Sequence, residues 1–145
     1  MGNNQFWQTS KVIYESWAQV VEWALTNDEY HKLGIQYNSI TALDYNHEAG
    51  KQTWRRNQNN WEYSPVFIDM IDDFNQRNGG INGIIWQQGS LDYPNDRITG
   101  YTLSYINFNI LCNSYGLSSL HEAIKNHKLS GVTDNDVDEL FSLYW

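Results

Sequence analysis

The sequence predicts a mainly helical, all-α domain with about six helices. Apolar residues recur at spacings of three and four in several segments, helix-capping residues stand before these segments, and glycines or asparagines follow them. The connections between the segments are short, as in compact helical domains. With 145 residues, 41% of them hydrophobic and 15% aromatic, we expect one folded domain over residues 1–145.

The first predicted helix spans residues 4–26, and we expect the Asn-Asp pair at 27–28 to end it. A second helix is predicted over 39–55, between the break at Gly34 and a polar loop at 57–60. The first helix carries its apolar residues at helical spacing at Ile13, Trp17, Val20, Val21 and Ala24.

The third helix has the clearest boundaries. Ser64 is a favourable N-cap residue, Pro65 suits the first helical position, and Asn-Gly-Gly at 78–80 is typical of a helix end. Its acidic residues fall away from its apolar stripe, so we expect them to face solvent. The stripe is Phe67, Met70, Ile71 and Phe74, and the acids are Asp69, Asp72 and Asp73.

Two patterns are open between helix and strand. Residues 80–93 are compatible with a short strand or hairpin and with a buried helical turn. Residues 96–114 are apolar on two sides, which favours a central, buried helix over a pair of strands. The two stripes are Ile98, Tyr101, Tyr105, Phe108 and Cys112, and Leu103, Ile106 and Ile110.

Two further helices are predicted at the C-terminal end of the sequence. Ser119 and Glu122 have the spacing of a capping box, and Thr133 and Asp136 repeat it. Gly131 is expected to end the first of these helices. Their apolar residues are Leu120 and Ile124 in the first, and Val137, Leu140, Phe141 and Tyr144 in the second.

The composition is acidic, with 17 Asp and Glu against 9 Lys and Arg and a formal net charge of -8. This balance argues against direct binding to nucleic acid, which requires a basic surface. Cys112 is the only cysteine, so no intramolecular disulfide forms. A lone thiol, the lack of a secretory signal pattern and the lack of a long apolar segment lead us to expect a cytoplasmic protein that does not enter a membrane.

Catalytic motifs are poorly represented. His47-Glu48 resembles the start of a zinc-protease motif, but Lys51 stands where the second histidine would be. We therefore expect a binding protein without cofactor or metal, and an enzyme only as the alternative. That alternative is a Mg²⁺-dependent hydrolase or phosphotransfer enzyme with two facing acidic helices. One helix would supply Asp69, Asp72 and Asp73, and the other Asp134, Asp136, Asp138 and Glu139.

Aromatic residues are the other distinctive feature, since 7 tryptophans are many for a chain of this length. They fit either a tryptophan-rich core or an interface, where Trp and Tyr are enriched. An aromatic sugar- or peptide-binding module is therefore a further alternative. For an interface, we predict a partner-binding site of Asp69, Asp72, Asp73, Trp61 and Tyr63.

Residues 78–93 read Asn-Gly-Gly-Ile-Asn-Gly-Ile-Ile-Trp-Gln-Gln-Gly-Ser-Leu-Asp-Tyr. Asn78, Gly79 and Gly80 resemble the signature turn of a family of acidic, helical bacterial proteins of mostly unknown function, some of them regarded as DNA mimics. Gly83 and Gln87 replace a Gln and an Asn of that pattern. The resemblance implies an acidic surface that competes for a basic groove on another protein. We accordingly expect an inhibitor, immunity or anti-defence factor of bacterial or phage origin.

Overall fold

The computed structural model describes residues 3–34, 64, 66–72, 75 and 95–144. These residues form five helices and no strand, which confirms the all-α prediction for this part of the chain. The helix predicted over 39–55 and the segment 80–93 lie outside the described residues. The helices are α1 (Asn3–Lys32), α2 (Val66–Ile71), α3 (Leu103–Tyr105, then Ile106–Ile110 and Leu111–Asn113), α4 (Leu117–Asn126) and α5 (Asp134–Tyr144).

Helix α1 is longer than predicted. The expected end at 27–28 is wrong, because the helix continues to Lys32. The Lys32 ammonium lies 2.7 Å from the Asp28 carboxylate one helical turn earlier, a spacing that supports helix rather than ending it. The chain leaves the helix at Gly34, whose φ of 68° is readily adopted by glycine.

Helix α2 begins as predicted and ends early. The Ser64 hydroxyl accepts the Val66 N–H at 3.3 Å, which is the expected capping interaction. The helix stops at Ile71 instead of reaching the Gly-Gly pair. The Met70 carbonyl accepts the N–H of Tyr101 at 2.9 Å, so a distant segment takes the acceptor that a further helical turn would use.

Helix α2 is buried on every side. Residues 66–70 are all buried, because α2 packs against both α1 and α5. The Phe67 ring meets the Trp17 ring of α1 edge-on at 5.8 Å. The prediction that Asp69 faces solvent is therefore wrong: its carboxyl group is fully buried. The apolar stripe of the sequence predicted one buried face for α2. Because neighbouring elements cover the other side as well, residues 66–70 have no face in contact with solvent.

The segment predicted as one helix over 96–114 has two parts. Residues 95–102 are not helical, and α3 begins only after Thr102. The Thr102 hydroxyl accepts the Tyr105 N–H at 3.1 Å and caps the helix. The strand pair considered as the alternative is not found here, since the described residues contain no strand.

A π-helical turn over Ile106–Ile110 changes which side of α3 is buried. Ile106 and Ile110 are fully buried, whereas Phe108 is 70% exposed and Cys112 is exposed. The prediction that both stripes are buried is wrong for Phe108 and Cys112. A wider turn shifts the residues that follow it around the helix axis, so the 3.6-residue period does not carry across it.

Helices α4 and α5 have capped beginnings. The Ser119 hydroxyl accepts the N–H of Gly116 at 2.9 Å, so Ser119 is the third helical residue and not the predicted cap. The Thr133 hydroxyl accepts the Asp136 N–H at 3.3 Å, and the Asp136 carboxylate accepts the Thr133 N–H at 2.9 Å. This second capping box is confirmed. Gly131, with φ of 96°, lies in the turn after α4 rather than at its end.

One apolar core joins all five helices. Trp17 and Trp23 lie partly buried at its edge. No helix in the described residues has a stretch that is both long and apolar enough to cross a bilayer. The fully buried members of the core include Val20, Phe67, Met70, Ile98, Ile106, Ile110, Leu120, Ile124 and Leu140.

Candidate functional site

Three carboxyl groups converge beside α2. One oxygen atom from each of Asp69, Asp72 and Asp96 lies within 4.8 Å of the others, and we call these residues the carboxylate cluster. Asp69 and Asp96 are buried and Asp72 is half-buried. The hydrogen bond from Tyr101 to Met70 holds the 95–102 segment against α2 and so brings Asp96 to the other two acids.

Polar contacts fix the backbone next to Asp96. The Asn75 amide donates to the Asn95 side-chain oxygen at 3.0 Å and also to the Asp96 carbonyl. The Asn95 N–H donates to the Glu139 carboxylate of α5 at 3.3 Å. The segment is thereby connected to α5 on one side and to the end of α2 on the other.

The Asp96 carboxyl group has a strongly altered protonation equilibrium. Burial raises the pKa of Asp96 to about 8. The N–H of Ile98 donates a hydrogen bond of 2.9 Å to the carboxyl group, which favours the ionised form and partly opposes this increase in pKa. The negative charges of Asp72 and Asp136 raise the pKa further. Carboxyl groups this close do not all ionise without compensation. The cluster can hold a proton on Asp96, and its oxygen ligands are those that Mg²⁺ and Ca²⁺ prefer.

The acids of α5 do not form the second half of this cluster. Asp134 lies 2.6 Å from the Lys128 ammonium, and Asp138 lies 2.6 Å from that of Lys125. Asp136 caps its own helix through Thr133. The carboxyl groups that converge therefore do not come from two facing acidic helices. They come from α2, from the residue that follows it, and from the non-helical segment 95–102.

The predicted partner-binding residues are only partly described. Asp69 is buried and Asp72 is half-buried, and both belong to the carboxylate cluster. Asp73, Trp61 and Tyr63 lie outside the described residues. Sequence reasoning missed Asp96, because its position at the first residue of the predicted helix over 96–114 carries no signal that it lies near Asp69 and Asp72.

A second candidate site is an apolar stripe along α1 that is exposed at three of its four residues and half-buried at Val21. Tyr14, Ala18, Val21 and Leu25 follow one another at spacings of four, three and four, which places them within about 60° of the helix circumference. Tyr14 is 67% exposed and Leu25 is 59% exposed. The buried residues Val12 and Ser16 lie on the opposite side of the helix. We call these four residues the α1 outer face.

Acidic side chains border the α1 outer face. Glu15 and Glu22 are both exposed, and neither forms an ion pair among the described residues. Near the end of the helix, Lys32 compensates Asp28 at 2.7 Å and Glu29 at 3.8 Å. The middle of the outer face therefore combines apolar area with two exposed carboxylates that form no ion pair with any described residue.

An open groove of about 870 Å³ runs beside the start of α4. Its lining includes Tyr115, which is 73% exposed, together with Glu122, Asn126 and His127. An aromatic ring beside polar side chains is compatible with a sugar or peptide. The aromatic binding module stays a prediction.

No family model, curated protein or solved structure matches this chain. The resemblance to the family of acidic bacterial proteins stays a prediction, and residues 78–93 lie outside the described part of the chain.

Proposed function

We propose that this protein is an acidic binding protein that docks onto a basic surface of another protein, in the role of an inhibitor, immunity or anti-defence factor. The observation that carries the proposal is the α1 outer face, where exposed Tyr14 and Leu25 stand next to Glu15 and Glu22. Asp69 does not contribute to such a surface because it is buried, and Asp73, Trp61 and Tyr63 of the predicted site lie outside the described residues.

The two kinds of side chain have different tasks in such an interface. Tyrosine and leucine lose exposed apolar area when a partner covers them, which stabilises the complex. Exposed carboxylates such as those of Glu15 and Glu22, within a chain of net charge -8, accelerate the approach of a basic partner and disfavour an acidic one.

Affinity capture from the native host at a series of salt concentrations tests the proposal. The captured protein should be basic, and its retention should fall as salt screens the carboxylates. The double variant Glu15→Gln, Glu22→Gln should retain less of it at low salt than the wild type. Absence of any salt-dependent basic partner would contradict the proposal.

The second candidate is the Mg²⁺-dependent hydrolase or phosphotransfer enzyme. The convergence of Asp69, Asp72 and Asp96 favours it, since three carboxylate oxygens within 4.8 Å can bind one divalent cation. Cation binding has to displace the proton on Asp96, so its strength should increase towards pH 8.

Thermal unfolding with and without Mg²⁺ or Mn²⁺ tests this candidate. Bound cation raises the melting temperature, the increase should be greater at pH 8 than at pH 6, and Asp96→Asn should reduce it. No increase at millimolar cation at either pH would exclude the candidate and leave the binding proposal intact.

A further inference from the structure

We infer that the α1 outer face binds an α-helix of the basic partner, with apolar side chains against Tyr14 and Leu25 and with Lys or Arg side chains against Glu15 and Glu22. This inference rests on the proposed function and specifies the partner's docking element.

The shape of the face favours a helix as the occupant. Its residues follow the alternating spacing of four and three that forms the contact line between two packed helices. The stripe is narrow and straight, and Tyr14 to Leu25 extend about 17 Å along the axis at 1.5 Å per residue. A helix of about three turns covers that length, with its axis 8–10 Å from that of α1.

The charges favour a basic partner over a second copy of this chain. In an antiparallel pair with Tyr14 facing Leu25 across the contact line, Glu15 of each chain approaches Glu22 of the other. Like charges at such flanking positions are unfavourable, and both chains carry a net charge of -8. A helix with Lys or Arg at its flanking positions replaces that repulsion with attraction.

A synthetic peptide of about three heptads provides a direct probe, with Leu at the a and d positions and Lys at the e and g positions. A scrambled peptide of the same composition tests the need for a helical stripe, and a peptide with Glu in place of Lys tests the charge. Fluorescence anisotropy gives the dissociation constant for each. Circular dichroism checks that every protein variant is folded.

The Lys peptide should bind the wild type at least tenfold more tightly than the scrambled peptide does. Glu15→Gln with Glu22→Gln should weaken binding about fivefold, and Leu25→Gln about tenfold. The matched control Asp134→Asn removes one exposed acid from α5, away from both the α1 outer face and the groove beside α4, and should leave the affinity unchanged.

Equal affinity for the ordered and scrambled peptides, or equal effects of the α1 variants and Asp134→Asn, would overturn the inference. Salt-dependent capture of a basic protein would then still support the proposed function. A dimer in light scattering that Leu25→Gln dissociates would assign the face to a second copy instead. Failure of both peptide binding and salt-dependent capture would overturn the inference and the proposed function together.

Discussion

The backbone N–H of Ser64 donates a hydrogen bond of 2.7 Å to the hydroxyl of Ser16, and both residues are buried. Ser16 lies on the core side of α1, where an apolar residue would otherwise be expected. Ser64 caps α2 through its own hydroxyl. This hydrogen bond joins the α2 N-terminus to α1, next to the contact between the Phe67 and Trp17 rings.

Replacing Ser16 by Ala should lower the free energy of unfolding by about 1–2 kcal/mol, because the buried N–H of Ser64 loses its acceptor. Urea denaturation measures the change. Ser10→Ala on the same helix, which removes a partly exposed hydroxyl, controls for the higher helix propensity of alanine. Equal stability of the two variants would show that the contact is unimportant.

The raised pKa of Asp96 should make the stabilisation that this residue provides decrease as pH rises from about 5 to 8. The folded-state pKa of about 8 lies above the ordinary value of 3.8, so the folded state binds this proton more tightly than the unfolded chain does. The contribution of Asp96 to stability is then fully present below the unfolded-state pKa of 3.8 and is lost as pH rises through the folded-state pKa. The slope from this one group is at most about 1.4 kcal/mol per pH unit.

Asp96→Asn provides the reference for this measurement, because it keeps the size of the side chain and cannot titrate. Urea denaturation of both proteins at several pH values gives the difference in slope. Parallel stability curves for wild type and Asp96→Asn would contradict the raised pKa.

The π-helical turn in α3 predicts opposite effects for neighbouring residues. Ile110→Ala should cost about 2–5 kcal/mol because Ile110 is fully buried, whereas Phe108→Ala should change stability by less than about 0.5 kcal/mol. A regular helical continuation of the Tyr101–Tyr105 stripe would bury Phe108. Thermal or urea unfolding of both variants therefore tests which side of α3 faces the core, and a large loss for Phe108→Ala would contradict the observed burial.

Gly131 should be sensitive to substitution for backbone reasons alone. Its φ is 96°, and an added Cβ would meet no atom within 4 Å. Gly131→Ala should thus cost about 1 kcal/mol through strain rather than through a clash. Gly116 also has open space for a Cβ, but its φ of 177° is extended backbone. Gly116→Ala is the matched control and should cost less in the same urea titration.

Local patterns predicted the helical class and several helix boundaries. The caps at Ser64 and at Thr133 with Asp136 are where the sequence places them, since each depends on residues at most three positions apart. The buried residues Leu120 and Val137 also follow from spacing within one helix. Such features involve atoms that are close in the chain before any packing occurs.

The candidate sites depended on packing to different degrees. The residues of the α1 outer face are close in sequence, but spacing alone did not distinguish Val20, which faces the core, from Val21 beside it. The exposure of Tyr14 and Leu25 becomes evident only once the opposite side of α1 is known to meet the core.

The sequence by itself determined an acidic chain that forms capped, amphipathic helices. Only the tertiary structure decided that Asp69 is buried, that Asp96 joins Asp69 and Asp72, and that α2 stops where Tyr101 takes the Met70 carbonyl. The physical reason is distance along the chain: helical periodicity relates residues a few positions apart. The burial and charge of a carboxyl group depend on segments that approach it from far away in sequence.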